Sequence, residues 1–203
     1  MTALWTDTAP LILASQSSAR QMLLRNAGLP FEAIPADIDE RAIQAASGLA
    51  DPGAIAALLA REKALAVSAQ HPGRVVIGAD QTLALGDRLF SKPADRRRAA
   101  EQLRALAGQT HHLHAAVAVA RDGTMLFADV AVAAMTMRPL SDAAIDAYLA
   151  AAGRAVSTSV GAYQLEGLGV HLFAQIKGDH FTILGLPLLP LLDYFRRADL
   201  VSI

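Results

Sequence analysis

Short apolar runs alternate along the chain with segments whose apolar residues recur at helical spacing, which predicts strands and helices in turn. The predicted strands cover residues 11–14, 31–36, 75–77, 82–85, 88–90, 112–120 and 125–135. The predicted helices start at Ser17 or Ser18 and run to 26, and then cover 51–70, 94–107, 141–151 and 188–195. The alternation predicts an α/β fold, and turns at Gly86-Asp87 and Asp122-Gly123 predict hairpins and therefore a mixed sheet.

The composition narrows the class of protein. Hydrophobic residues make up 53% of the 203 positions and alanine is the commonest residue, which excludes a disordered chain and predicts a core of small side chains. The length favours one domain spanning 1–203. The longest apolar stretch, 181–192, contains Pro187 and Pro190 and is too short to cross a membrane, so a buried helix is expected there.

The charge balance argues against a polymeric anion as partner. The 18 basic and 19 acidic residues give a net charge of -1, so no basic footprint for a nucleic-acid polymer is present, although a local cluster of cations could bind a small anion. The absence of cysteine excludes disulfides and thiolate catalysis. No signal-peptide pattern precedes the first strand, and no membrane partner is indicated, so a cytoplasmic location is expected.

The segment from Ser15 to Arg20 is the first candidate site. It lies where a strand meets a helix N-terminus, where free N–H groups and the helix dipole favour an anion. The hydroxyls of Ser15 and Ser17 and the guanidinium of Arg20 could add donors to phosphate oxygens. The alternative is an ordinary capped helix with a surface arginine.

Carboxylates form the second candidate. Asp39-Glu40 leads into what we expect to be a polar loop, and Asp80 is expected to end the strand 75–77 after Gly78-Ala79. Ligands gather at the carboxyl ends of strands in open α/β sheets, and small residues let a ligand approach the backbone. Mg²⁺ uses a few carboxylates together with substrate phosphates, whereas the alternative is that these acids only make local turns.

Cations and histidines complete the candidates. The chain has only three lysines, Lys63, Lys92 and Lys177, and each could contact phosphate or lie on the solvated surface. His112 and His114 share one face of a predicted strand. Because no Cys, Asp or Glu lies nearby, edge-strand or hydrogen-bonded histidines are favoured over a metal site.

Taken together, these segments resemble the Maf family of nucleoside triphosphate pyrophosphatases over nearly the whole chain. The matching segments, in order, are Leu11–Arg20, Ile38-Asp39-Glu40, Arg61-Glu62-Lys63-Ala64, Gly78-Ala79-Asp80-Gln81, Ser91-Lys92-Pro93, Leu106–His111, Gly161–Gly167 and Gly185-Leu186-Pro187. One such motif would be weak evidence, but eight in the right order are strong evidence.

The resemblance implies hydrolysis of a nucleoside triphosphate to a nucleoside monophosphate and pyrophosphate. This reaction would remove unwanted nucleotides from the cellular pool. The resemblance further implies an elongated mixed β-sheet with flanking helices and two lobes around a central cleft, as in inosine triphosphatases. It also implies a divalent cation, Mg²⁺ or Mn²⁺, and a homodimer. The family has also been linked to inhibition of septum formation, so a regulatory or binding protein is the alternative.

Roles follow from the resemblance position by position. Asp80 would be the catalytic base and Lys63 and Lys92 would neutralise the phosphates. Glu40, with Asp80, would hold the cation. The substrate-binding residues would be Ser15, Ser17 and Arg20.

Three further positions bear on the nucleobase. Ala19 stands where members often carry a bulkier residue, and Gln81 and Glu166 resemble the branch that acts on 7-methyl-GTP more than the branch that acts on dTTP and UTP. A carboxylate at Glu166 could accept hydrogen bonds from the N1–H and N2 amino edge of guanine.

Overall fold

The computed structural model describes residues 4–157 and 159–203. The strands of this part of the chain are β1 (Leu11–Leu13), β2 (Phe31–Ala33), β3 (Val76–Leu85), β4 (Arg88–Phe90), β5 (Thr110–Arg121), β6 (Thr124–Met137) and β7 (Phe173–Lys177). Its α-helices are α1 (Ser18–Asn26), α2 (Glu40–Ser47), α3 (Pro52–Ser68), α4 (Arg96–Leu106), α5 (Asp142–Ala152), α6 (His180–Ile183) and α7 (Leu188–Arg197). Short 3₁₀ segments lie between α5 and β7.

The strands form a mixed sheet in the order β2-β1-β3-β5-β6-β7, with β4 paired to β3. The pairs β1–β2 and β1–β3 are parallel, whereas β3–β4 and β6–β7 are antiparallel. The predicted α/β class, with a mixed sheet and flanking helices, is therefore confirmed. The cleft between two lobes stays a prediction.

The described residues divide into two compact units. The first comprises the described chain up to Gln81 together with His114–Ala131 and His180–Ile203. The second comprises Thr82–Leu113 and Val132–Asp179. Each unit is therefore assembled from segments distant in sequence.

Helix α3 packs on the sheet of the first unit through a layer of alanines. Its residues Ala56, Ala60 and Ala64 recur at helical spacing and are fully buried. They meet a second fully buried set on one face of β5, namely Ala116, Ala118 and Ala120. The expected core of small side chains is thus confirmed here, and it brings the helix close to the strands.

A second core cluster in the same unit contains larger side chains. Leu11 and Leu13 of β1, Leu24 of α1 and Phe195 of α7 are almost completely buried in it, and Trp5 packs edge-on against Phe195 with ring centroids 5.4 Å apart. Most of the apolar stretch before and within α7 is buried, as expected, although Leu189 is exposed. This cluster anchors α1 and therefore the residues at its N-terminus.

Most predicted elements are confirmed with shifted ends, but several local predictions are wrong. The polar loop expected after Glu40 is the helix α2, which begins at the Asp39 cap and ends before Gly48 in the left-handed conformation. The strand expected to end at Asp80 continues to Leu85, because β3 pairs with β4 beyond that point. Strand β7 and helix α6 were not expected, and β2 ends at Ala33 rather than at 36.

His111 lies in the interior of the second unit. Its Nε2 is 2.7 Å from the hydroxyl of Tyr163, and the ring of Phe173 lies beside both. The hydrogen-bonded alternative is therefore confirmed for His111, whereas the edge-strand alternative is wrong because β5 lies between β3 and β6. Among the described residues no group of three or more His, Asp or Glu side chains is placed to hold a metal.

In the described residues no helix combines the length and the apolar character that crossing a bilayer requires.

Acidification should destabilise the protein through His111. Burial, and the neighbouring His112, lower the pKa of His111 to about 4 from the usual 6.5. The unfolded chain therefore binds a proton that the folded chain does not, so stability is full above about pH 6.5 and falls by roughly 3 kcal/mol as the pH drops to about 4. Urea unfolding of the wild type and of His111→Gln over this interval should show a shallower pH dependence in the variant.

The exposed His171 supplies the control, because His171→Gln should keep the wild-type pH dependence. Equal pH dependence in the wild type and His111→Gln would contradict the assignment.

Candidate functional site

The chain turns from β1 into α1 through a segment rich in hydroxyl groups. Ser17 caps α1, and its Oγ accepts a hydrogen bond from the N–H of Arg20 at 3.4 Å. The hydroxyl oxygen of Ser15 accepts the N–H of Ser17 at 3.2 Å. Because both hydroxyls are anchored as acceptors, their O–H groups can still donate to an anion at the N-terminus of the helix.

Arg20 is fixed by three hydrogen bonds rather than being a surface arginine. Its Nε donates to the carbonyl of Gly185 at 2.7 Å, and its Nη1 donates to the carbonyl of Ala79 at 2.9 Å and to Ser15 Oγ at 3.2 Å. Burial lowers the pKa of Arg20 below its usual value, while the charges of Asp80 and Glu40 act in the opposite direction. The surface-arginine alternative is therefore wrong, and the guanidinium lies near the carboxylates.

Lys63 joins the two carboxylates. Its Nζ lies 2.7 Å from Oδ1 of Asp80 and 3.0 Å from Oε2 of Glu40. The side chains of Lys63 and Asp80 are only 10% and 13% exposed, whereas that of Glu40 is 48% exposed. The solvated alternative for Lys63 is therefore wrong, and Glu40 is the solvent-facing member of the group.

Gly78 explains how α3 brings Lys63 to Asp80. A Cβ built on Gly78 would lie 2.0 Å from the carbonyl oxygen of Ala60 and 2.6 Å from the nitrogen of Ala64. The expectation that small residues here admit a ligand to the backbone is wrong, since the space is taken by the helix. Close packing of α3 on β3 places the lysine, which is one residue before Ala64, against the carboxylate two residues after Gly78.

The carboxylates suit a hard divalent cation. Glu40 and Asp80 both contact the ammonium group of Lys63, so the two carboxylates face the same point. Mg²⁺ is usually held by one or two carboxylates together with water and substrate phosphates, and the described residues contain no fuller set of ligands. The donor set therefore fits Mg²⁺ or Mn²⁺.

Gln81 is anchored to the turn that follows α6. Its Nε2 donates to the carbonyls of Thr182 and Ile183 at 3.0 and 3.1 Å. Gly185 in that turn has a φ of +88°, which disfavours any side chain. Ala19, another predicted specificity position, packs against the core cluster that contains Leu24 and Phe195.

The remaining predicted residues belong to the second unit. Lys92 is exposed in the loop after β4, Glu166 is exposed in a turn, and Lys177 is exposed at the end of β7. Their functional roles stay predictions.

Sequence reasoning missed the part that Gly185 plays. Gly185 belongs to the motif Gly185-Leu186-Pro187, but nothing in the sequence indicates that its carbonyl accepts a hydrogen bond from Arg20, 165 positions away. The available signal was a glycine between apolar residues, which indicates a turn with positive φ.

Comparisons with known proteins agree with one another. A sequence model for Maf-like proteins matches residues 10–198. A nucleoside triphosphate pyrophosphatase of Rhodopseudomonas palustris (strain ATCC BAA-98 / CGA009) is 67% identical over 200 residues, covering 98% of this chain and 99% of its own. Another of that name from Bradyrhizobium diazoefficiens is 68% identical with the same coverage. A 7-methyl-GTP pyrophosphatase of Rhizobium etli is 54% identical over 197 residues, 96% of this chain and 99% of its own.

Among solved structures, a HAM1 protein from Coxiella burnetii aligns with a TM-score of 0.41 and 21% identity over 64% of this chain and 73% of its own. That likeness is too loose to bear on function.

Adding a methyl group at Gly78 should push α3 away from the sheet. We expect Gly78→Ala to lower the free energy of unfolding by about 2 kcal/mol or more, since its Cβ would overlap rigid backbone atoms of Ala60 and Ala64. Chemical denaturation measures the change.

Gly53→Ala is the matched control in the first turn of the same helix. Its Cβ would meet only side-chain atoms, the nearest at 3.3 Å, and its stability should stay within about 0.5 kcal/mol of the wild type. Equal effects of the two substitutions would contradict the close approach of α3.

Proposed function

The chain belongs to the Maf family, and from that premise we propose that it hydrolyses nucleoside triphosphates to nucleoside monophosphates and pyrophosphate. The names of its relatives support this activity. The observation that carries the proposal is the buried ammonium of Lys63 between Asp80 and Glu40, in the same unit as the anchored Arg20. Clearing unwanted nucleotides from the cellular pool is the role that such an activity serves.

The triphosphate binds at the N-terminus of α1. Ser15 and Ser17 donate their hydroxyl hydrogens to phosphate oxygens, and Arg20 adds charge from a guanidinium whose orientation is already fixed. An orientation set before binding limits the entropy that is lost when the substrate arrives. Lys63 and Lys92 neutralise further negative charge on the phosphates.

Asp80 is the general base. Lys63 engages its Oδ1, which leaves Oδ2 as the oxygen that accepts a proton from the attacking water. The water oxygen forms a bond to the α-phosphorus. The bond between the α-phosphorus and the oxygen that bridges it to the β-phosphorus breaks, and pyrophosphate leaves. The contact of the Lys63 ammonium with Oδ1 holds the carboxylate of Asp80 in a fixed orientation.

Glu40 and Asp80 would hold the divalent cation. When bound, Mg²⁺ or Mn²⁺ supplies charge neutralisation for the phosphate oxygens. Glu40 would be the more accessible of the two ligands, because its side chain is 48% exposed. The working form is cytoplasmic and homodimeric, with no nucleic-acid or membrane partner.

Removing the base should abolish turnover. With Mg²⁺ present, the wild type should release pyrophosphate from at least one of 7-methyl-GTP, GTP, UTP, CTP and dTTP, and Asp80→Asn should lower kcat by at least about 100-fold. A coupled pyrophosphate assay measures both.

The surface variant Asp193→Asn is the matched control, because in the described part of the chain that carboxylate forms its ion pairs with Arg196 and Arg197 of α7. It should keep wild-type turnover. If the wild type releases pyrophosphate from none of these nucleotides, the protein acts by binding alone, as a regulator of septum formation would. Full activity in Asp80→Asn would instead overturn the choice of base.

Glu166 reads the guanine edge in this proposal. Glu166→Gln loses a charged acceptor for the N1–H and N2 amino group, so kcat/KM for the guanine nucleotides should fall about tenfold relative to UTP. An unchanged ranking across the same nucleotides would remove Glu166 from base recognition.

A further inference from the structure

Gln81 directly follows Asp80 on β3, yet its amide group is already engaged by the protein itself. Both carbonyls that accept from its Nε2, those of Thr182 and Ile183, lie at the end of α6. An amide nitrogen has two hydrogens, so these bonds use both of its donors. Only Oε1 is left to contact anything else.

The same short segment orients Arg20. The carbonyl of Thr182 also accepts the N–H of Gly185 at 3.0 Å, which closes the turn. The carbonyl of Gly185 in turn accepts from Arg20 Nε at 2.7 Å. A Cβ on Gly185 would lie 3.4 Å from Nε and Nη2 of Arg20 and 3.5 Å from Oε1 of Gln81, so the two side chains meet over this glycine.

We propose that Gln81 is a positioning residue for the phosphate-binding arginine. By holding the carbonyls of Thr182 and Ile183, it fixes the turn at Gly185, and the carbonyl of Gly185 aims the guanidinium of Arg20. This inference rests on the proposed function for the identity of the bound triphosphate. It places Gln81 in the recognition of phosphate, and not in direct contact with the nucleobase.

Positioning of Arg20 and direct contact with the nucleobase predict different changes in affinity across a set of ligands. A contact with the base affects nucleotides unequally and has no effect on a ligand without a base. A contact that aims Arg20 weakens every triphosphate by the same factor, inorganic tripolyphosphate included. The pattern across ligands therefore separates positioning from base recognition.

The test uses Gln81→Met, which keeps the length of the side chain and removes both donors. Losing these bonds should weaken tripolyphosphate binding about tenfold in calorimetry with magnesium chloride, and should raise KM for GTP and UTP by the same factor without changing their ranking. Hydrogen exchange at the amides of Gly185 and Leu186 should become faster in this variant, while the melting temperature changes little. Gln70→Met, at an exposed position beyond α3, should match the wild type in each measurement.

Gly185→Ala is a second test of whether this turn orients Arg20, because the added Cβ would crowd the guanidinium directly. It should also weaken tripolyphosphate binding, and combining it with Gln81→Met should add less than the sum of the separate effects, since both act through one turn.

Unchanged tripolyphosphate affinity in Gln81→Met, with or without an altered ranking of nucleotides, would overturn the proposal. If the wild type neither binds tripolyphosphate nor hydrolyses any nucleotide, the proposed function fails. Hydrogen exchange in Gln81→Met then still decides whether Gln81 holds the turn.

Discussion

A lysine ammonium is costly to bury unless carboxylates meet it, and Lys63 meets two. One carboxylate, Asp80, comes from the middle of β3, and the other, Glu40, comes from the first residue of α2. Removing either partner would leave a buried charge poorly compensated. The positions of β3, α2 and α3 in the first unit are therefore tied together by one charged group.

That contact exists because the residues around it are small. The alanines of α3 and β5 and the glycine at Gly78 let a helix lie against the strands with its backbone almost touching the sheet. Larger side chains there would lift α3 and carry Lys63 away from Asp80. The abundance of alanine, which in the sequence predicts only a core of small side chains, is thus part of how the site is built.

Local signals explain which elements the sequence could predict. The start of α1 at Ser17 or Ser18 and the two hairpins depend on neighbouring residues, and all three are confirmed. Helix α2 was missed although Asp39 caps it and it is amphipathic, because it is only eight residues long and none of its residues is buried. The hydrogen bonds of Arg20 and Gln81 to carbonyls about 100 or more positions away were beyond reach, since a carbonyl acceptor leaves no mark on the sequence.

The first unit contains every described group that the proposed chemistry needs at the phosphates, apart from Lys92. Ser15, Arg20, Lys63 and Asp80 are held by contacts among themselves and with nearby backbone. Glu166, which we propose reads the base, belongs to the second unit. The hydrogen bonds and ion pairs that hold Arg20, Lys63 and Asp80 all lie within the first unit, so the arrangement of these three side chains is built without Glu166.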